Sequence, residues 1–235
     1  MGDLVQSATS ILSAAQRRAE EAAHNIANVT TPGYRAKHSF AEALASIDSS
    51  EIGAPTLTTL VSLTSGQLSE TGNPTDLALT GDGFFELRDE TGPLYTRNGQ
   101  FTRADDGRLL DLGGRVLQGV GGGDIVLPAG AFSVEADGAV RSGDRVIAQI
   151  SVVSLDPSSI VPGPDGLLTA PGDRVSALDA PVVRQGFLES ANVSMGDEMV
   201  ALMEAVRRAE TGQRLMNVYD DLMGRAITTL GQTNG

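Results

Sequence analysis

The stretch of sequence that decides the fold is Asn25–Tyr34, which reads NIANVTTPGY. Asn28 is suited to end a helix, because asparagine tolerates the left-handed conformation found at many helix C-termini. Pro32 restricts Thr31 to extended conformations, and the pair Pro32-Gly33 predicts a turn. An ordinary helix stop is the alternative, but the complete run is much rarer than such a stop. The stretch therefore predicts that an N-terminal helix ends here and that the chain then turns.

The residues before this stretch carry an apolar stripe typical of an amphipathic helix. Its members are Leu4, Ala8, Ile11, Ala15, Ala19, Ala22 and Ile26. They are spaced three or four residues apart, which is close to a heptad repeat. Alanine permits two helices to approach closely but buries little area, and a lone helix of this length is marginal in water. We therefore expect this helix to pack against a partner.

A second amphipathic helix is predicted at the other end, over roughly residues 194–230. Ser194 and Asp197 resemble a capping box at its start, and Asn192 is a rival cap. The stripe comprises Met195, Met199, Leu202, Val206, Ala209, Leu215, Tyr219, Leu222, Ala226 and Leu230. Gly212 interrupts it and marks either a bend or a close contact. A methionine-rich stripe is more often plain core, although methionine also adapts to non-identical neighbours. We expect the two terminal helices to meet and pair as a coiled coil.

The middle of the chain, about residues 67–185, has the composition of β-structure. Short apolar runs alternate there with glycine, aspartate, asparagine and proline, which favours strands. Four dipeptides predict hairpin turns: Asn98-Gly99, Asp106-Gly107, Asp137-Gly138 and Asp165-Gly166. Strands do not alternate with helices, which disfavours Rossmann and barrel enzymes. The predicted fold class is α+β, with terminal helices paired as a coiled coil and an inserted β-rich domain.

The predicted boundaries divide the chain into four segments. They are residues 1–36 for the N-terminal helix, 37–66 for an extended linker, 67–185 for the β-rich domain and 186–235 for the C-terminal helix. Within the linker, Ser39–Ile47 is a candidate short helix, while the Thr- and Ser-rich remainder favours extended chain.

Composition and charge argue against several classes of protein. A net charge of −13 disfavours nucleic-acid binding, because it repels phosphate backbones. The sequence contains no cysteine, which excludes disulfides, thiolate catalysis and zinc–thiolate sites. The N-terminus lacks the pattern of a cleaved secretory signal, and no stretch approaches the ~18 apolar residues of a membrane span. We expect neither a cleaved signal peptide nor insertion into a membrane.

Three features resemble chemical sites but are better interpreted as structural. The glycine-rich run Gly119–Asp124 lacks the Lys-Ser/Thr pair of a phosphate loop, so we predict a turn. Asp105-Asp106-Gly107 lacks the further acidic ligands of a calcium loop. The only histidines, His24 and His38, stand in no catalytic or metal-binding pattern. We predict no catalytic residue, no metal site and no cofactor, and therefore no enzyme.

Three blocks of sequence resemble the axial proteins of the bacterial flagellum, the rod and hook family. They are Asn25–Tyr34, the run Leu77–Phe85 with Tyr95–Phe101, and Val183–Val193 followed by Glu198-Met199-Val200. The blocks occur in the order seen in the family and span most of the chain. The resemblance implies an assembly motif and a C-terminal signature. The motif residues are Asn25, Asn28, Thr31, Pro32, Gly33 and Tyr34, and the signature residues are Gly186, Glu189, Asn192 and Val193.

The resemblance also implies a structural role. Subunits of this family assemble through their terminal helices into a tube that transmits torque and surrounds an export channel. The implied helix-seam interface comprises Leu4, Ala8, Ile11, Ala15, Ala22, Ile26, Met199, Leu202, Val206, Leu215, Tyr219, Leu222 and Leu230. The implied partners are other axial subunits, further copies of the chain and the flagellar type III export apparatus, which cleaves no signal. The implied location is the periplasmic rod of the basal body.

Within the family, length favours the proximal-rod and distal-rod members over the short rod subunits and the longer hook proteins. The segments Arg207–Glu210 and Tyr219–Ala226 are more similar to the proximal-rod ending. A reading from another class is a monomeric β-domain binding module whose two ends merely pair with each other.

Overall fold

The computed structural model describes residues 2–41, 57–90 and 92–232, and its architecture begins and ends with a long helix. Helix α1 spans Gly2–Ala27 and helix α2 spans Met195–Gln232. The chain between them forms strands and short 3-10 turns. The prediction of an α+β protein with two terminal helices and a β-rich middle is confirmed.

Nineteen strands are described. They are β1 Lys37–Ala41, β2 Leu57–Val61, β3 Leu68–Glu70, β4 Leu77–Thr80, β5 Phe84–Arg88, β6 Pro93–Thr96, β7 Thr102–Arg103, β8 Leu109–Leu110, β9 Val116–Gly119, β10 Gly123–Asp124, β11 Ser133–Val134, β12 Ala139–Ser142, β13 Arg145–Gln149, β14 Val152–Leu155, β15 Val161–Pro162, β16 Leu168–Thr169, β17 Val175–Ala177, β18 Val182–Gln185 and β19 Phe187–Glu189. The 3-10 turns are Pro157–Ser159, Pro164–Gly166 and Gly172–Arg174.

The chain divides into two compact units. The helical unit comprises Met1–Ala27 and Ser194–Gly235, and the β unit comprises Asn28–Val193. These bounds differ from the predicted segments, because residues 28–36 and 186–193 belong to the β unit rather than to the helices. The helical unit is built from two segments that are far apart in the sequence. The β unit is continuous, but the strands at its beginning pair with the strands at its end. In both units, segments distant in sequence must therefore meet.

The strands of the β unit are paired antiparallel. The largest sheet has ten strands, along the path β15-β16-β6-β5-β9-β8-β7, with β10 beside β9, β14 beside β5 and β17 beside β14. Smaller sheets pair β1 with β2, β4 with β18 and β3 with β19, and β11, β12 and β13 form a three-stranded sheet. The pairs β4–β18 and β3–β19 bring the end of the β unit onto its beginning.

The core of the β unit consists mainly of aliphatic side chains, as an aromatic content of 4% requires. Leu77, Leu87 and Leu117 are fully buried in its larger cluster. Phe85 and Phe101 meet edge to face there, with ring centroids 5.6 Å apart and an interplanar angle of 85°, an arrangement that aromatic pairs favour.

Three of the four predicted hairpin turns are confirmed, and one is wrong. Asp106-Gly107 joins β7 to β8, Asp137-Gly138 joins β11 to β12, and Asp165-Gly166 joins β15 to β16. Asn98-Gly99 joins no hairpin, because the strands on either side of it, β6 and β7, are not neighbours in the sheet. Gly99 instead accepts a hydrogen bond from the Leu77 amide at 2.9 Å.

The glycine-rich run Gly119–Asp124 is a turn, as predicted. It connects β9 to β10, with Gly123 opposite Gly119. Its tip is closed by a hydrogen bond from the Gly122 amide to the Gly119 carbonyl at 3.0 Å.

Two local predictions fail around the N-terminal stretch. Asn28 does not adopt a left-handed conformation, since Asp165 is the only non-glycine residue with positive φ in the described ranges. The turn after α1 is closed by the Thr31 amide and the Asn28 carbonyl, and Gly33 supplies positive φ at 67°, which glycine adopts without steric cost. The short helix predicted over Ser39–Ile47 is wrong for Ser39–Ala41, which lie in β1 and pair with β2; the rest of it lies outside the described residues.

Neither described helix combines the length and the apolar composition that a bilayer span would need.

Gly99 provides a direct test of the packing in the β unit. A Cβ atom there would lie 1.5 Å from the Leu77 carbonyl oxygen, so Gly99→Ala requires the backbone to move. We expect the free energy of unfolding in urea to fall by about 3 kcal/mol or more. Gly123→Ala is the matched control, because a Cβ there would meet nothing within 4 Å. Equal stability of the two variants would contradict the described approach of Gly99 to β4.

Candidate functional site

The predicted assembly motif and the predicted C-terminal signature are in direct contact in the β unit. The Gly33 amide donates to the Glu189 carbonyl at 2.7 Å, and the Asn192 amide donates to the Tyr34 carbonyl at 3.2 Å. We call this region, residues 31–36 with residues 186–192, the signature junction. Two segments from opposite ends of the chain are thus joined by main-chain hydrogen bonds.

Asn192 connects three segments through its side chain. Its amide oxygen accepts from the Ala36 amide at 2.7 Å. Its amide nitrogen donates to the Ser62 carbonyl at 3.2 Å and to the Thr64 carbonyl at 2.8 Å. Asn192 therefore fastens the segment that follows β2 to the end of the assembly motif, and it does not serve as the N-terminal cap of α2.

The centre of the signature junction is a buried cluster of three charges. Glu189 Oε1 lies 3.0 Å from Arg35 Nη2, and Glu189 Oε2 lies 3.4 Å from Arg97 Nη1. The exposed fractions of these side chains are 1%, 3% and 2%. Glu189 Oε1 also accepts from the Gly66 amide at 2.7 Å. One carboxylate thereby holds two arginines and a loop amide.

Backbone carbonyls accept further hydrogen bonds from the two guanidinium groups, although Arg35 Nε and Arg97 Nε are buried without a hydrogen-bond acceptor. Arg35 donates to the Thr64 carbonyl, and Arg97 donates to the carbonyls of Leu79 and Gly81. Burial lowers the pKa of Arg35, and the carboxylate of Glu189 opposes this effect. Burial likewise lowers the pKa of Arg97 to about 10, again opposed by Glu189. Both arginines remain charged at neutral pH, so the cluster carries a net positive charge away from water.

Gly33 is required at its position for two reasons. Its φ of +67° favours glycine, and a Cβ atom there would lie 2.2 Å from the Arg97 carbonyl carbon. Tyr34, the next residue, is 1% exposed, and its ring carbon Cδ2 lies 3.5 Å from the position that a Cβ on Gly166 would take. The end of the assembly motif is therefore packed inside the β unit.

The remaining motif and signature residues are placed nearby. Asn28 and Thr31 line an open cleft of about 330 Å³ together with Thr96 and Asn98. Pro32, Gly186 and Val193 are partly buried. The Gly186 carbonyl accepts from the Thr71 amide at 2.8 Å, and its φ of +76° again suits glycine.

Asn25, the first residue of the motif, has its contact in the helical unit. Its side-chain amide donates to Glu198 Oε1 at 2.9 Å, and the two residues are 0% and 5% exposed. This bond joins α1 to the first turn of α2. That turn begins after Ser194, whose Oγ accepts a hydrogen bond from the Asp197 amide at 3.5 Å. Of the two residues predicted to cap the N-terminus of α2, Ser194 and Asn192, Ser194 is therefore the one that does so.

The contact between α1 and α2 is made mainly by small side chains. Besides Asn25 and Glu198, the buried residues among the described side chains are Ala8, Ala15 and Ala22 on α1 and Ala205 and Gly212 on α2. The three alanines of α1 are spaced seven residues apart, and so are Glu198, Ala205 and Gly212 of α2. A Cβ atom on Gly212 would lie 3.6 Å from the Ala8 carbonyl oxygen, so of the two alternatives for Gly212 a close contact is correct. The distance between two packed helices depends on the side chains at their contact, and small ones permit close approach here.

The predicted seam on α2 therefore differs from the buried stripe by one residue. Among the predicted seam residues, Met199, Val206 and Leu215 are each 48% exposed and Leu222 is 58% exposed, while Leu202 and Tyr219 are partly buried. On α1, Ala8, Ala15 and Ala22 are buried, Ile26 is partly buried and Ile11 is 39% exposed. The side chains of Leu4 and Leu230 lie outside the described residues. Apolar periodicity alone favoured the large side chains, whereas close approach admits only the small ones.

The sequence did not identify three residues of these sites, Arg35, Arg97 and Ala205, and it did not indicate that Glu198 pairs with Asn25. In the sequence, a charged residue that directly follows an aromatic one, as Arg35 follows Tyr34, is only a weak indication of a buried ion pair. The sequence does not indicate which carboxylate pairs with Arg35. In the described ranges, no three His, Cys, Asp or Glu side chains lie close enough to hold a metal ion.

Glu189→Gln tests the buried charge cluster. It keeps the size of the side chain but leaves two buried guanidinium groups without a counter-charge, so we expect the free energy of unfolding to fall by about 3–5 kcal/mol. Urea unfolding followed by circular dichroism measures the loss. Asp173→Asn is the control, since it alters an ion pair to Arg174 at 3.7 Å whose carboxylate is 78% exposed. A Glu189→Gln protein as stable as this control would show that the cluster contributes nothing.

A double-mutant cycle tests the bond between Asn25 and Glu198. Asn25→Ala leaves a buried carboxylate oxygen without this donor, which we expect to cost about 1–3 kcal/mol. Adding Glu198→Ala should recover part of that loss and give a coupling energy of about 1 kcal/mol. The readout is the helical signal at 222 nm during urea unfolding. Strict additivity of the two substitutions would argue against the contact, and Gln16→Ala on the exposed face of α1 serves as a control.

Comparison with known proteins identifies related chains over nearly the whole length. Residues 78–170 match the family described as flagellar hook protein FlgE/F/G D1 domain, and residues 184–229 match the family described as flagellar basal body rod FlgEFG protein C-terminal. The first match lies in the β unit. The second begins in β18 and ends in α2.

Individual relatives agree with the family matches. The chain is 32% identical to the flagellar basal-body rod protein FlgF of Mesorhizobium japonicum, over 98% of this chain and 99% of the relative. It is 30% identical to FlgF of Salmonella typhimurium, over 90% and 91% of the two chains. It is 27% identical to the flagellar basal-body rod protein FlgG of Bacillus subtilis, over 90% and 93%. The chain therefore belongs to the flagellar basal-body rod proteins of the FlgF and FlgG type, a structural family and not a family of enzymes.

Proposed function

We propose that this chain is a proximal-rod subunit of the FlgF type, which assembles through its terminal helices into the tubular rod of the basal body. In this role it transmits torque and surrounds the export channel. The observation that carries the proposal is the helical unit, whose contact surface is made of small residues while large apolar side chains remain exposed outside it. A distal-rod subunit of the FlgG type is the second candidate.

Identity among relatives supports the proximal rod. FlgF relatives from Mesorhizobium japonicum and Salmonella typhimurium are 32% and 30% identical to the chain. The FlgG relatives from Bacillus subtilis and Agrobacterium fabrum are each 27% identical. The proximal-rod character of residues 207–210 and 219–226 supports the same choice.

The proposed inner domain is a coiled coil of α1 and α2. Buried residues recur every seven positions on both helices, at Ala8, Ala15 and Ala22 and at Glu198, Ala205 and Gly212, which is the period of a coiled coil. A buried polar pair such as Asn25 and Glu198 is a known device for fixing the register of paired helices. The β unit is the proposed outer domain.

The assembly-motif and signature residues have a structural role in this proposal. The signature junction holds the first and last segments of the β unit together through Gly33, Tyr34, Glu189 and Asn192. A β unit that lacks residues 31–36 or residues 186–192 could not form it. We infer that folding of the β unit depends on both of these segments.

The proposed partners are other rod subunits and further copies of the chain. The proposed route to the periplasmic rod is the flagellar type III export apparatus, without cleavage of a signal peptide. Mass spectrometry of purified basal bodies, with chemical cross-links to neighbouring rod proteins, would test both the location and the choice between proximal and distal rod.

Charge on the exposed apolar surface of the helical unit should block assembly without unfolding the subunit. Ile11 and Leu222 are 39% and 58% exposed, so Ile11→Asp and Leu222→Asp leave the fold of the free subunit intact. In an assembled rod the same charge would be buried without a partner, which is costly. We expect at least a tenfold loss of each variant from purified basal bodies and loss of swimming in soft agar.

The matched control is Asn217→Asp, which adds the same charge at an exposed polar position of α2. It should incorporate normally. If Ile11→Asp and Leu222→Asp proteins both built functional rods, assembly through the terminal helices would be wrong.

A further inference from the structure

Strands β1 and β2 form a two-stranded ribbon that is separate from the other sheets of the described strands. Lys37 pairs with Val61 at the base of the ribbon, and Ala41 pairs with Leu57 at the other end of the two strands. A two-stranded sheet is at best marginally stable by itself in water. The ribbon therefore depends on contacts with the rest of the β unit.

The base of the ribbon contains an unusual pairing. The residues that follow the pair Lys37 and Val61 are Ala36 and Ser62, and the Ser62 amide donates to the Ala36 carbonyl at 2.9 Å. In a regular antiparallel pair the Ala36 amide would donate to the Ser62 carbonyl in return. Instead, the Ala36 amide donates to Asn192 Oδ1 at 2.7 Å, and Asn192 Nδ2 donates to the Ser62 carbonyl at 3.2 Å. The carboxamide of Asn192 thus takes the place of one main-chain hydrogen bond of the ladder.

We propose that Asn192 is the positioning residue that mounts the ribbon on the β unit, and that the ribbon opens as a local unit when this mount is lost. The inference goes beyond the proposed function and does not depend on it. The base presents an amide on one strand and a carbonyl on the other. Asparagine satisfies both, because one planar group offers an acceptor and two donors.

Further bonds of Asn192 hold the chain on both sides of the ribbon. Its main-chain amide donates to the Tyr34 carbonyl at 3.2 Å, before β1. Its side chain also donates to the Thr64 carbonyl at 2.8 Å, after β2. The position of Asn192 is itself fixed, because β19 ends three residues earlier and pairs with β3. One residue near the end of the β unit therefore holds both the entry to the ribbon and its exit.

Other described contacts of the ribbon also lie at its base. Lys37 Nζ donates to the Gly163 carbonyl at 3.2 Å. Val61 and Leu63 pack against the smaller apolar cluster of the β unit, which contains Phe84. Because these contacts are all at the base, the two strands can separate from the β unit there without disturbing the ten-stranded sheet.

The buried charge cluster limits how far such an opening extends. Beyond Thr64, the Gly66 amide donates to Glu189 Oε1 at 2.7 Å, and Glu189 holds Arg35 and Arg97. The chain after the ribbon thus remains attached to the cluster when the carboxamide of Asn192 is removed. Loss of the mount is expected to free the ribbon and residues 62–64, while the β unit stays folded.

Hydrogen–deuterium exchange of the full-length protein tests the mount through Asn192→Asp. This change keeps the shape of the side chain but turns a carboxylate oxygen towards the carbonyls of Ser62 and Thr64. We expect the amides of β1 and β2 to exchange at least about tenfold faster than in the unsubstituted chain, because buried partners lose their donor. The amides of β5 and β9 should change by less than about twofold, because a local opening leaves them protected.

Gln185→Glu is the matched control, since it makes the same change at another carboxamide that bridges main-chain groups. Gln185 Oε1 accepts from the Val134 amide at 3.0 Å, and its Nε2 donates to the Pro74 carbonyl at 2.8 Å. Exchange should become faster around β11 in this variant and stay unchanged in the ribbon. Asn192→Ala is the second test variant. It removes the same bonds without adding charge, and it should also free the ribbon.

The unsubstituted chain supplies a test that needs no variant. Opening of the ribbon alone exposes little surface, so exchange of the β1 and β2 amides should depend only weakly on urea. Exchange of the β5 and β9 amides should follow the steep urea dependence of complete unfolding.

Several results would overturn the proposal. These are equal acceleration in the ribbon, β5 and β9, unchanged ribbon exchange in both Asn192 variants, or failure of both variants to fold, which would make Asn192 a support of the whole β unit. Ribbon exchange with the urea dependence of complete unfolding would also contradict a local opening. The proposed function is tested separately, by the presence of the chain in purified basal bodies.

Discussion

The carboxylate of Glu189 is the constraint on which the β unit depends. It lies between Arg35 and Arg97 and accepts from the Gly66 amide, with all three charged side chains almost closed to solvent. Removing water from charges is costly, and a buried pair is tolerated only when its geometry and hydrogen bonds are good. The segments that carry these groups come from the start, the first half and the end of the unit. They must all be in place before the charges can be buried, so the cluster makes closure of the unit close to all-or-none.

A different constraint governs the helical unit. There the contact is set by the absence of large side chains: alanines on α1 face Ala205 and Gly212 on α2, and the backbones approach closely. Close approach gains little apolar burial per residue. It also displaces Met199, Val206 and Leu215 from the contact to the surface. The same choice of small residues therefore explains why the two helices fit together and why large apolar side chains remain available to another molecule.

The sequence predicts what local chemistry determines. Both helices, the β-rich middle and three of the four turns follow from periodicity and from turn residues that act within a few positions. Non-local choices could not be predicted in this way. Arg97 and Glu189 are 92 residues apart, and no local pattern relates them. Asn98-Gly99 has the chemistry of a hairpin, but the sheet order places β6 and β7 apart, so Gly99 meets Leu77 instead. The stripe predicted on α2 lies one residue away from the stripe that is buried. Hydrophobic periodicity favours the most apolar residues, whereas the contact with α1 favours the smallest ones. At the signatures, the resemblance identified Gly33, Glu189 and Asn192, and the geometry supplied the reasons for them.

The net charge of −13 opposes the exposed apolar surface of the helical unit. Like charge spread over a small protein repels a second copy over distances near the Debye length, about 8 Å at physiological ionic strength. A single contact of a few apolar side chains does not overcome this repulsion in dilute solution. Several contacts made at once by a copy held beside its neighbours do, because the second and later contacts form at high effective concentration. Small apolar surfaces on a strongly acidic chain thus favour addition to a growing structure over association of free subunits, which is the balance that suits a structural subunit of the flagellar rod.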